Sequence, residues 1–548
     1  MNCKVCQKPI ERTAQEKALY KKFGFEDQEL CFECDHRQRT CFRNERALYS
    51  RKCDKTGEHI ISVYSPDKPY KVYRSDIWYG DSWDALDYGR DFDFSRSFFE
   101  QFAELQREVP RVALANVNGE NSDYCNMTVY NKNCYLVFGG DYNQDVQYGT
   151  LCMNSKDCLD LDISNDNEQS YFLGDSVKCY GSQYVFDSNN CNNCYYLSDC
   201  TGCTECILCT NLVKRSYYIL NKQYSKEEYF EKKKELITGS YKQRQKNWNE
   251  FLNLLKKRIV KFSHQISCEN CTGDYLKNSK NCHNSFDVSE SEDLYNTVVT
   301  YNAKDCFNCS LIGHGAELCY NIQSVIDAVD SMCSYFIFES SGIAYGDLLI
   351  SCHDCFGCVG LQHKRNCILN KQYSKDEYKV LRAKIVEHMK KTGEWGQFFP
   401  HNISCFGFNE STAAEYFPLS KEEAIKQGYN WSDAEEKKPQ ASKTVTADQI
   451  PDSINDVTDE ILDWAIECEK SKRLFKITLH ELKFYRTHNL PIPHLHSDER
   501  HMIRLNLRTP RKLWTRKCAS CGADINTTYS PDRSEVVYCE KCYLSKIY

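Results

Sequence analysis

No stretch of this chain comes near the roughly 18 consecutive apolar residues that a membrane span needs. The opening residues, MNCKVCQKPI, hold no apolar core of the kind a secretory signal carries. The cytoplasm is therefore the expected compartment, with no membrane partner. Signatures of catalysis are missing too: there is no glycine-rich phosphate loop, nucleophile elbow or dinucleotide-binding fingerprint. The expectation is a protein without enzymatic activity, with no catalytic residue and no small-molecule substrate to assign. What the chain does have is cysteine, 34 in 548 residues. In a reducing compartment that richness reads as metal ligation or small buried thiols, not disulfides.

Eight of the cysteines form two sets of paired CxxC knuckles. Cys3, Cys6, Cys31 and Cys34 stand near the start, and Cys518, Cys521, Cys539 and Cys542 near the end. Zinc takes four thiolates at tetrahedral corners, and two tight knuckles supply them. The knuckles are 24 residues apart in the first set and 17 in the second. A shell filled by cysteine leaves no open position for water, so two structural zinc ions per chain are expected.

Two repeats organise the chain. Its ends match at a constant offset of 465: Glu16 falls on Glu481, Tyr20 on Tyr485, His36 on His501 and Arg39 on Arg504. Each end then reads as two ribbon units in tandem, with complementary ligand sets. The second unit of the first copy keeps Cys53 but has Thr56, Arg74 and Ile77 at the other ligand positions. The first unit of the last copy keeps Cys468 but has Ser471, His496 and Glu499. The middle repeats as well. ILNKQYSKEEY from Ile219 returns as ILNKQYSKDEY from Ile368, an offset of 149, whereas Cys158 returns as Cys306, an offset of 148.

The first knuckle pair, with Glu16, Leu19-Tyr20 and Gly24 between its halves, resembles the family known as probable zinc-ribbon domain over about 40 residues. The phrases YGRDFDFSRSFFEQF, EYFPLSKEEA and SPDRSEVVYCEKCY resemble a group of large zinc-ribbon proteins from bacteria with reduced genomes. The resemblance implies zinc ribbons and brings no activity with it.

Within the middle, Cys191, Cys194, Leu197, Cys200, Cys203, Cys206, Cys209 and Leu212 fall every third position, which is neither a helix nor a strand period. Short turning coils that place one small residue inward, as in a β-solenoid, fit this texture. The expected fold is mainly β with helical connectors, in which duplicated ribbon modules flank a duplicated, solenoid-like middle. The order is a tandem ribbon module over 1–82, a helical connector over 83–110, a first block over 111–225 and a helical connector over 226–261. A second block follows over 262–374, then a helical connector over 375–430, a linker over 431–450, and a helix with the last ribbon module over 451–548.

Three further patterns carry alternatives. The run from Cys200 to Cys209 is either an iron–sulfur or extra metal site, or a stack of inward thiols; the x3-Cys-Pro ending of ferredoxins is absent. His488, His494, His496 and His501 with Asp498 and Glu499 form either a catalytic metal set or the remains of a lost ribbon site. Arg500, Arg504, Arg508 and Arg511 step at helical spacing, and Arg39, Arg43 and Arg46 repeat the step. Ribbons beside an arginine stripe suit nucleic-acid phosphates. The blocks, however, are acidic, with 13 Asp and Glu against 7 Lys and Arg over 111–225, so the stripes could equally dock inside the chain. The leading expectation is a zinc scaffold that binds RNA or a ribonucleoprotein. A protein-binding scaffold without nucleic acid is the rival, and a metal-dependent enzyme or redox protein the third reading.

Overall fold

The computed structural model describes residues 1–25, 29–313, 319–320, 323–326, 331–434 and 437–547. Its fold is mostly β with helices between the sheets. The middle is built on a period of three. From Cys125 to Cys209 every third residue is buried, and from Met127 to Leu220 every third residue has a positive φ. Each triplet thus turns one side chain inward and then bends in the left-handed region. Asn, Asp and Gly bear that conformation best, which accounts for their abundance; Gly139, Gly181 and Gly202 sit at such bends.

Four triplets complete a turn of twelve. Strands Tyr135–Phe138, Gln144–Thr150, Lys156–Asp162, Tyr171–Gly174, Gln183–Phe186, Tyr195–Ser198, Thr204–Thr210 and Ser216–Ile219 pair in parallel, each with the residue twelve further on. A short antiparallel strand, Lys222–Gln223, ends the sheet. Residues 265–372 follow the same rule, with two departures among the described residues, the first a short turn in which Gln265 pairs with Leu276, eleven residues on. In the second, Ser310 pairs with Gln323 and Cys306 with Cys319, thirteen residues apart. This single long turn is where the sequence offset slips from 148 to 149.

The inward side chains also explain the choice of cysteine. At the corners a backbone N–H is met by the side chain twelve residues earlier: Cys179 N donates to Asn167 Oδ1 at 2.9 Å, Cys194 N to Ser182 Oγ at 3.1 Å and Ser170 N to Cys158 Sγ at 3.4 Å. Serine, asparagine and cysteine are interchangeable there because each is small and each accepts a hydrogen bond. A buried donor left unmet would cost about 1–3 kcal/mol.

Helices clasp the blocks. Ser97 caps the helix Phe98–Glu108 in the first expected connector, and the second holds two helices, Lys226–Leu236 and Tyr241–Lys257, that break around Gly239. Lys375–Thr392 and Lys421–Lys426 open with capping boxes at Ser374 and Ser420. Two expectations fail. The helix expected within 451–548 ahead of the ribbon module is only a short 3-10 turn, Asp459–Asp463, because Trp464–Glu467 continues as a strand. Within the expected linker, Lys443–Thr446 is a strand that pairs in parallel with Trp464–Glu467.

The terminal modules cross. Tyr20 of the N-terminal module lies edge-on to Phe307 of the second block at 4.8 Å, whereas Tyr485 of the C-terminal module meets Tyr171 of the first at 6.1 Å. A buried ion pair closes the molecule elsewhere: Arg111 donates to both oxygens of Asp347, at 2.8 and 2.9 Å, with Tyr335 and Tyr64 completing its bonds.

Candidate metal centres and the arginine interface

Both predicted cysteine sets assemble. The first knuckle closes by Gln7 N donating to Cys3 O at 2.9 Å, with Gln7 at φ 60°. The second opens the helix Phe32–Thr40, for which Cys31 is the N-cap. Within each set the four sulfurs lie within 4.8 Å of one another. Cys6 and Cys31 are 3.7 Å apart, and Cys521 and Cys539 3.8 Å. A tetrahedral zinc with bonds of about 2.3 Å needs sulfurs about 3.8 Å apart, so the spacing suits that ion. The thiol chemistry suits it as well. A hydrogen bond from Cys34 is the main influence that brings the Cys31 thiol down to about 5, and it drives Cys34 itself upward. These two clusters are consistent with zinc-ribbon-like modules and could hold metal ions.

The incomplete units keep the shape without the ligands. His496 N donates to Cys468 Sγ at 3.3 Å, as Cys539 N does to Cys518 Sγ in the complete site. Arg74 N donates to Cys53 Sγ at 3.4 Å. Charges stand where the other ligands would be: Glu499 pairs with Lys470 at 2.7 Å, and Arg74 pairs with Glu58 and Asp76. The four histidines do not converge. His488 packs on Phe484, His494 bonds Glu469 at 2.7 Å, His496 caps its helix through Asp498 N, and His501 bonds Asp162 at 2.8 Å. Among the described residues, the run from Cys200 to Cys209 forms no metal-capable group, and each of its thiols is fully buried.

The arginines form no exposed face. The helix Ser497–Leu507 ends before Arg508 and Arg511, and the helix Phe32–Thr40 ends before Arg43 and Arg46. Arg500 reaches Asp160 at 2.8 Å, and Arg504 reaches Asp160 and Asp162 at 2.9 and 2.6 Å. Arg508 joins Asp175 of the first block, at 2.7 Å, to Asp287 of the second, which Arg511 also holds. Arg46 bridges Asp498 and Thr150, Arg43 pairs with Glu45, and Arg39 binds Asp35 and Ser310. All seven side chains are about nine-tenths buried or more, Arg46 being the most open at 11 %. The sequence left these arginines either to nucleic acid or to the chain's own acidic middle; they lie in an internal seam, with acidic block faces opposite Arg500, Arg504, Arg508 and Arg511.

The two seams correspond. Arg39 and Arg504 are 465 residues apart, and their partners Ser310 and Asp162 are 148 apart, the two offsets of the sequence repeats. The charges have moved together. Where one seam sets Arg500 and Arg504 against Asp160 and Asp162, the other has Asp35 and Arg39 against Asn308 and Ser310. The second seam has two acids fewer on the block and an acid in place of one arginine on the module, so each set is neutral. Sequence reading missed these aspartates individually, although the twelve-residue spacing of Asp175, Asp187 and Asp199 was a signal. It also missed Arg111, Asp347 and the group of Asp187, Asp199 and His264.

Among the described residues no helix is long and apolar enough to cross a membrane. No family model matches the chain, and no curated protein matches it. Among solved structures the chain is similar to a Desulfovibrio desulfuricans protein described provisionally as an acetyltransferase. The two are 7 % identical over 50 % of this chain and 81 % of that one, at a TM-score of 0.10, which carries no argument about fold or activity.

Proposed function

We propose that this chain is a non-enzymatic, zinc-dependent scaffold that binds a protein partner. In this reading Cys3, Cys6, Cys31 and Cys34 hold one zinc ion and Cys518, Cys521, Cys539 and Cys542 a second, each closing a zinc ribbon. The middle is a duplicated β-solenoid, and the whole chain is a doubled module-and-block pair with crossed docking. The observation that carries the reading is the buried arginine seam. Guanidinium groups buried against carboxylates are not presented to a phosphate backbone, so these arginines serve the chain's own assembly. The surface left for a partner is aromatic in part: Tyr130 and Tyr142 stack at 5.3 Å on the first block and are 52 % and 60 % exposed. Such exposed tyrosines suit a protein contact.

Purification from native cells with and without nuclease tests this. Protein partners that survive nuclease and are lost when Tyr130 and Tyr142 become Ser support the scaffold. A salt-dependent shift of structured RNA that disappears when Arg500, Arg504, Arg508 and Arg511 become Gln, in a variant that keeps its fold and zinc, would overturn it in favour of RNA binding.

A further inference from the structure

Beside the arginine seam lies a cleft of about 70 Å³ that the scaffold reading does not use. Three elements meet there. The first block contributes Tyr171, Phe172 and Tyr184, the helix Tyr241–Lys257 contributes Arg244 and Trp248, and the C-terminal module contributes His494 and Arg500. The walls are aromatic: Trp248 stands 5.6 Å from Tyr184, and Tyr171 edges onto Tyr184 at 5.5 Å.

The polar groups of the cleft are not all satisfied from within the protein. Arg500, only 3 % exposed, uses Nε on Asp160 and Nη1 on Leu495 O, but its Nη2 has no partner. His494, 8 % exposed, bonds Glu469 through Nδ1, and its Nε2 has no partner. Arg244 is the more telling group. It is 2 % exposed and donates to Thr238 O, Gln183 Oε1 and Asn489 O at 3.0, 2.7 and 3.1 Å, all neutral oxygens. Among the described residues no carboxylate pairs with it. A buried guanidinium charge is ordinarily compensated by an acid. Here the cleft carries a buried guanidinium with no carboxylate bonded to it, a free N–H and flat apolar walls.

We propose that this cleft binds a small organic carboxylate with an aromatic body. The carboxylate accepts from Arg500 Nη2 and supplies the counter-charge that Arg244 lacks. The ring lies against Tyr184 and Trp248, and His494 Nε2 takes a hydroxyl or amide donor on the ligand. No bond is made or broken; the site is one of recognition.

The test uses the full chain with its zinc, benzoate as the probe and benzamide as its neutral isostere, followed by calorimetry and ligand-observed NMR. Benzoate is expected to bind saturably, with benzamide weaker by about tenfold or more. Two variants should each weaken benzoate by a similar factor. Arg500→Gln removes the donor while Asp160 keeps Arg504 at 2.9 Å. Gln245→Trp fills the cleft from its exposed rim, and it decides alone if the first variant fails to fold. Equal binding of benzoate and benzamide overturns the proposal. So does undiminished binding by the folded variants, or no saturable binding at about 10 mM, which would leave the cleft to water.

Discussion

His36 and His501 show how one residue type takes opposite states in matched positions. His36 faces Ser310 across 3.4 Å; burial pushes its pKa well down, with Arg39 adding to the effect, so it is neutral. His501 faces Asp162 at 2.8 Å. Burial opposes its charge, but the Asp162 carboxylate more than offsets this and holds it up at about 9. A histidine raised in the folded state stabilises fully below its unfolded value of about 6.5 and loses that contribution as pH climbs through the folded value. Urea midpoints should therefore fall between roughly pH 7 and pH 9 in the parent. In a His501→Gln variant that fall should be shallower, whereas His36→Gln should leave the slope unchanged; equal slopes in all three would remove the charge from His501. The thiols make a second residue-scale case. Cys203, Cys206 and Cys209 are fully buried, whereas Cys268 and Cys271 at the start of the second block are partly open. In zinc-loaded protein, iodoacetamide should reach Cys268 and Cys271 well before the other block thiols, as peptide mapping would show. Cys194→Ser should cost less than about 1 kcal/mol, since Ser182 fills the same column one turn earlier and does the same bonding. Leu197→Ala, on an all-apolar column, should cost about 2–5 kcal/mol.

At the scale of elements, what was legible in the sequence had a local cause. Ser97, Ser225, Ser374 and Ser420 announce their helices because each side chain accepts from the amide three residues on, and at the last three the acid there caps back. The CxxC knuckles announce the four-cysteine clusters because a tight turn is written into four residues. The period of three was visible from 191 to 212, where cysteine marks six of the eight inward positions and leucine the other two. It extends to Cys125 unnoticed, because there Val, Thr, Asn, Ser and Gly take those places and no single residue type betrays the pattern. Illegible altogether were pairings that join distant segments. Nothing local to Arg111 foretells that Asp347, 236 residues away, will receive both its nitrogens in a site with neither side chain exposed. Removing one partner of such a pair strands the other charge. Asp347→Asn should destabilise the chain by about 3–5 kcal/mol, read as a loss in urea midpoint, while Arg111→Met with Asp347→Leu should recover much of that loss. A single-variant cost below about 1 kcal/mol would mean that water reaches the pair.

At the scale of the molecule, charge segregation serves closure. The chain is acidic overall, at −7, yet its basic residues concentrate in the terminal modules and meet acidic block faces across buried seams. The crossed docking brings both cysteine clusters onto one assembly: Glu33, beside the first, pairs with Lys512 of the other module at 2.6 Å. The second cluster is also tied to the middle, since Val536–Tyr538 pairs in parallel with Ile259–Lys261, the segment that leads into the second block. If zinc fills both clusters, elemental analysis should find two ions per chain, and four would mean that the incomplete units bind as well. Cys518→Ser should leave one ion, because three thiolates no longer close a structural shell and zinc supplies much of a ribbon's folding free energy. The consequence should be local but not confined to the ribbon. Hydrogen exchange should rise over 514–547 and over 259–261, which loses its strand partner. The turns between 135 and 210 should stay protected, since their hydrogen bonds run to one another. Cys3→Ser should also leave one ion but spare 259–261, because no strand joins that knuckle to the connector. Exchange rising equally at both places in both variants would show that the two clusters stabilise the molecule as one cooperative unit instead of two separate clasps.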